Sequence, residues 1–65
     1  MPSNVDVVEA LLFASDTPLE AERIREVLDL ASREEAQALV GELTGRYDAE
    51  GRSLQIQEVA GGYRM

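Results

Sequence analysis

The sequence predicts a mostly helical α+β domain, three helices followed by a β-hairpin. Three observations predict it. Apolar residues recur at helical spacing in three stretches of residues 5–49. One later stretch, RSLQIQEVA, alternates with a period of two around Leu54 and Ile56. A glycine pair, Gly61-Gly62, then allows a tight turn, and Tyr63-Arg64-Met65 begins a return. Two closely joined helices, a third helix and a hairpin is the layout of a winged helix, with the glycine turn at the tip of the wing.

The first helix is expected at about 5–15. Val7, Leu11 and Ala14 fall on one side of a helical wheel, and Val5, Val8 and Leu12 fall beside them. Asp6 and Glu9 lie opposite. Ser3 or Asn4 is placed to accept from the first free backbone N–H groups, and Asp6 suits the positive end of the helix dipole. Phe13 falls with the acids, away from the apolar face. Either the rest of the domain covers it or it is an exposed aromatic that awaits a partner.

SDTPLE ends this helix, because Asp16 and Pro18 favour a turn. The second helix is expected at about 20–29, with Ile24, Val27, Leu28 and Ala21 as its stripe. Its start has two readings. Thr17 and Glu20 have capping-box spacing with Pro18 at the first helical position. Alternatively, residues 17–19 are a short extended segment and the helix begins after them.

The third helix is expected at about 33–49. Ser32 precedes Glu35 at capping-box spacing, and Gly51 closes the helix. Ala36, Leu39, Val40, Leu43 and Tyr47 form its stripe. Gly41 and Gly45 share a face, and each costs about 1 kcal/mol relative to Ala. Either another backbone approaches there or these are tolerated weak positions. The strand is expected at about 53–59, the turn at 60–62 and the return strand at 63–65. Val59 breaks the alternation and joins the glutamine face, so either the strand twists or bulges there or Val59 meets something on its outer side. The return strand is only begun, so the wing reads as truncated.

Composition narrows the chemistry. The chain has 65 residues, enough for a single domain over 1–65, and domains this small bury only about 60% of their unfolded surface. They gain from a partner or a staple. There is no Cys and no His, which removes disulfides and the usual imidazole base or ligand. Absence of Cys is compatible with the cytosol. No signal peptide is expected, and no membrane association. Gly61-Gly62 lacks the Lys and helix of a phosphate loop. No carboxylate spacing resembles a calcium loop, and adjacent acids in a first helical turn are explained by the dipole. No enzyme activity and no cofactor are expected.

Thirteen acids oppose six arginines, for a formal net charge of −7. A phosphate backbone repels such a surface. A groove-reading third helix needs bases and amides on its outer side. Here residues 32–50 hold Arg33 and Arg46 against Glu34, Glu35, Glu42, Asp48 and Glu50. Arg52 and Arg64, near the wing, are too few to hold a duplex. The pattern points to a winged helix used for protein contact. The alternatives are the DNA-binding domain of a transcriptional regulator and a recruitment module on an unrelated assembly.

VEALLFAS at 8–15, Pro18-Leu19 and EVAGGYR at 58–64 resemble the N-terminal part of segregation and condensation protein B. The likeness covers nearly the whole chain. Glu20 departs from it, because a small capping residue such as Ser is common there in this family. The resemblance implies a non-catalytic subunit of the bacterial SMC–kleisin condensin complex, acting in chromosome condensation and segregation during cell division. It implies tandem winged helices, of which these residues would be the first and lack the second. It also implies a homodimer formed chiefly through that first domain. The other partners would be the kleisin, segregation and condensation protein A, and through it the SMC ATPase. The location would be cytoplasmic and nucleoid-associated. Phe13, Val59 and Tyr63 are apolar groups that the local patterns leave uncovered. They are expected as dimer contacts, with ordinary core packing as the alternative for each.

Overall fold

The computed structural model describes residues 3–51 and 53–65. The reading of Arg52 therefore lies outside the described residues. In chain order the elements are α1 (Asn4–Ala14), α2 (Ala21–Leu28), α3 (Arg33–Glu50), β1 (Gln57–Val59) and β2 (Gly62–Arg64). Both α1 and α2 pack on α3, and the two strands form an antiparallel hairpin.

Ser3 is the N-cap of α1. Its hydroxyl accepts from the Asp6 N–H at 3.2 Å, while the Asp6 carboxylate accepts from the Ser3 N–H at 3.2 Å. This reciprocal pair satisfies two helix-end donors. The buried line of α1 is Val5, Val8 and Leu12, with Val7 and Leu11 half-buried at its margin. The centre of the apolar face is thus shifted from Val7, Leu11 and Ala14, and Ala14 is exposed.

The extended reading of residues 17–19 is the one that the fold adopts. Leu19 donates its N–H to the Tyr63 carbonyl at 2.7 Å and accepts from the Tyr63 N–H at 2.9 Å. Leu19 is thereby a one-residue third strand beside β2. Glu20, not Thr17, is the N-cap of α2, and no side chain caps that end. Of the expected stripe, Ile24 is buried and Ala21 and Leu28 pack partly, but Val27 is 45% exposed. Residues advance about 100° per step. Ala21 and Leu28 lie on one side of Ile24 and Val27 on the other, so a two-turn helix resting on α3 cannot bury both sides.

Helix α3 buries Ala36, Val40, Leu43 and Tyr47, with Leu39 half-buried. The Ser32 hydroxyl accepts from the Glu35 N–H at 3.4 Å. The Glu35 carboxylate reaches back one residue further than a capping box requires, to the Ala31 N–H at 3.1 Å. Gly51 ends the helix in the left-handed region with φ of 65°.

The strand expected at 53–59 is paired only over Gln57–Val59, and β2 begins at Gly62 rather than 63. The register explains the short pairing. Gln57 faces Arg64, Glu58 faces Tyr63 and Val59 faces Gly62. Gln55 and earlier residues would then face positions past Met65. Leu54 and Ile56 still pack on the core through their side chains. Gly62 is inside the strand because no other residue fits. Its φ is 141°, and a Cβ there would fall on the Leu19 carbonyl oxygen and lie 2.6 Å from the carbonyl carbon.

Candidate protein-interaction surface

The three residues expected at an interface occupy different surroundings. Phe13 is 57% exposed at the end of α1. It lines a shallow depression with Pro18, Arg64 and Met65 at the open end of the hairpin. The described residues leave more than half of it uncovered. Val59 is half-buried but is not packed on the core. Opposite residues of an antiparallel pair share a face, and alternate residues change face. Val59 therefore stands with Gln57, Gly62 and Arg64 on the outer face of the wing, as its break in the alternation foretold. It borders a depression near the turn with Glu20, Ala21 and Tyr63.

Tyr63 is half-buried and packs against the core. It lies on the inner face, with Leu19 and Glu58 across from it. Burial raises the pKa of its phenol, and the neighbouring Glu58 carboxylate adds to that. Tyr63 and Val59 thus border one depression, and Phe13 borders another. Val27 is a further exposed apolar side chain, which the periodicity had assigned to the core.

The two acidic residues of α1, Asp6 and Glu9, are structural. The Arg46 guanidinium donates to the Asp6 carboxylate at 3.0 Å, and the Tyr47 hydroxyl donates to the Glu9 carboxylate. The Arg46 bond, helped by the Ser3 contacts, holds the Asp6 carboxyl below its usual range. These links tie α1 to α3. Nothing in the spacing of Asp6 and Glu9 signals their partners 40 and 38 residues away. The link also bears on nucleic acid. One of the two arginines of α3 is turned to α1, while Glu34, Glu42, Asp48, Gly41 and Gly45 are exposed along that helix. A helix presenting carboxylates and glycines offers little to phosphates or base edges.

The sequence pattern of the family described as "Segregation and condensation complex subunit ScpB" matches residues 6–65. This chain belongs to that family. It is 47% identical over 57 residues to segregation and condensation protein B of Symbiobacterium thermophilum, covering 88% of this chain and 26% of the relative. It is 43% identical over 62 residues to a segregation and condensation protein B homolog of Coxiella burnetii, covering 91% of this chain and 29% of the relative. The chain therefore spans less than a third of the length of these ScpB relatives. Among solved structures it is similar to a dimer of the ScpB N-terminal domain complexed with ScpA peptide. The TM-score is 0.80 at 38% identity, over 92% of this chain and 74% of the other. The fold is that of the ScpB winged-helix domains.

Proposed function

We propose that this chain is the dimerising N-terminal winged-helix domain of a ScpB subunit in an SMC–kleisin condensin complex. It acts without catalysis, in chromosome condensation and segregation. It binds a second copy of itself and the ScpA-type kleisin, and through the kleisin it joins the SMC ATPase. In this reading it works in the cytoplasm at the nucleoid, without direct contact to nucleic acid and without a membrane. A second winged helix completes the subunit beyond these residues.

The observation that carries the reading is the match to a ScpB N-terminal domain whose structure is a dimer with ScpA peptide. The acid-rich outer side of α3 supports protein contact over DNA. Phe13 and Val59 are assigned to the self-association surface, since each is apolar and neither is packed into the core. Tyr63 borders that surface while also supporting the core.

Sedimentation equilibrium across a concentration series tests this. The expected result is a concentration-dependent dimer that Phe13→Asp or Val59→Asp weakens with helix content unchanged. A folded monomer at every concentration would overturn the dimer assignment. A duplex DNA titration at low salt tests the regulator alternative: tight, salt-sensitive binding would favour that alternative.

A further inference from the structure

Among the described residues the outer edge of the hairpin is unoccupied, and its geometry specifies what fits there. Both backbone groups of Tyr63 are used by Leu19, at 2.7 and 2.9 Å, so they point away from β1. Hydrogen-bonded and non-bonded pairs alternate along an antiparallel ladder. Glu58, opposite Tyr63, therefore turns its own N–H and C=O to the outer edge of β1. Among the described residues nothing bonds either group. An open edge of this kind is a template for a further strand.

Beside that edge runs a groove of about 510 Å³ between β1 and α3, lined by Gln37, Gly41 and Thr44 on one side and Ile56, Glu58 and Tyr63 on the other. Among the described residues, no side chain and no backbone outside its own turn of helix lies within 4 Å of the place where a Gly41 Cβ would be. Within the chain, then, no packing contact accounts for a glycine in mid-helix. The same is true of Gly45, but of the two only Gly41 borders the groove, where the missing side chain leaves room for an occupant. The Glu58 carboxylate stands on the groove side of the sheet, with Tyr63.

We propose that the outer edge of β1 is a strand-docking site for an extended segment of a partner protein that carries a Lys or Arg opposite Glu58. The aliphatic stem of that residue lies over Gly41 and Ile56 while its charge meets the Glu58 carboxylate. A second copy paired about a two-fold axis at Glu58 would instead set two carboxylates side by side, which is unfavourable. The inference rests on the reading that the partner is a ScpA-type subunit, and it names the surface and chemistry of that contact.

The test is calorimetric titration of the chain with the ScpA-type subunit of the same organism, and then with short overlapping peptides that tile it. A peptide with a basic residue should bind and slow hydrogen exchange at the Glu58 amide. Gly41→Leu should weaken binding by roughly tenfold or more, while Ala49→Leu, outside the groove, should change it by less than about twofold. A Cβ at position 41 meets no described side chain and no backbone beyond its own turn of helix, and Leu improves helix propensity, so the urea midpoint of Gly41→Leu should hold or rise. Glu58→Lys should weaken the same peptide, and exchanging the basic residue of the peptide for Glu should restore part of the loss. If the subunit binds but Gly41→Leu and Glu58→Lys leave its affinity unchanged and the Glu58 amide stays unprotected, the docking site is overturned and the family reading stands. If Gly41→Leu abolishes self-association while peptide affinity is unchanged, the groove belongs to a second copy and the proposal fails. If the subunit does not bind at all, both the partner reading and the docking site fall.

Discussion

The contact between α1 and α3 and the contact between the wing and the rest of the domain are built on different physics. In the first, Val5, Val8 and Leu12 bury side chains with Val40, Leu43 and Tyr47, and two polar links hold the rims. In the second, strands of three residues each are joined to the body, among the described residues, by one backbone bridge, Leu19 to Tyr63, and the side chains beneath are half-buried. The helical body is stabilised mainly by apolar burial. The wing depends on a backbone approach that only glycine permits. A domain with this division can keep its body folded while its wing is open to partners, since low-burial segments open at lower free energy.

The largest expected effect breaks the body. Leu43 is fully buried, so Leu43→Ala should cost about 2–5 kcal/mol. A chain of this length has a total stability of about 3–10 kcal/mol. Circular dichroism followed on heating should show a substantially lowered thermal midpoint, with partial loss of helix already at ambient temperature if the loss nears the total stability. Retention of the wild-type midpoint would mean that the α1–α3 contact is not the principal source of stability.

Next, Gly62→Ala attacks the wing alone. The positive φ and the overlap with Leu19 should together cost roughly 1–3 kcal/mol. Hydrogen exchange should quicken at the Leu19 and Tyr63 amides and stay slow in the middle of α3. Gly61→Ala is the control. Its φ of 93° also disfavours Ala, but nothing lies within 4 Å, so its effect should be smaller. Equal losses from the two variants would remove the steric account of Gly62.

A smaller change should sharpen the junction between the regions. Glu20 caps α2 without a side-chain hydrogen bond. Glu20→Ser should raise stability by about 0.5–1 kcal/mol in urea unfolding. No gain would mean that the bridge at Leu19 holds the residue in a geometry where Ser cannot reach the helix N–H groups.

The smallest effect concerns pH. The Asp6 carboxyl is held below its usual range, first by Arg46 and then by Ser3. A depressed folded-state pKa contributes stability above the unfolded value and loses it as pH falls through the folded value. The difference in thermal midpoint between the wild type and Asp6→Asn should therefore be full above about pH 5 and shrink on acidification below about pH 4. Added salt should reduce it at neutral pH, because the pair with Arg46 is exposed. A difference that does not change with pH would mean that Asp6 acts by shape alone.

How far each region was legible follows from the same contrast. The stripe on α3 was read correctly because one helix face packs against both other helices, so the wheel and the core coincide. On α2 the wheel misassigned Val27, because a short helix touches α3 along one narrow side. On α1 the apolar residues were found but the centre of the face was not, since a wide stripe does not say which line is deepest. The fate of Phe13 was left open, because the wheel placed it off the stripe without saying what lies beside it. Val59 was legible as an outward residue through a broken alternation. The unpaired groups of Glu58 were not, because they depend on which side of β2 the Leu19 segment joins.

The sequence by itself determined that there are three helices, where the caps of α1 and α3 fall to within a residue or so, and that a glycine turn follows a strand. It also determined that the outer side of α3 is acidic. These are local properties, set by side-chain periodicity, capping chemistry and charge count. The tertiary structure alone decided that Leu19 is a strand residue and that Gly62 must be glycine. It also decided that Asp6 and Glu9 hold Arg46 and Tyr47, and that β1 is the open edge. Each of these joins groups far apart in the chain, and the free energy that fixes them exists only once both are in place.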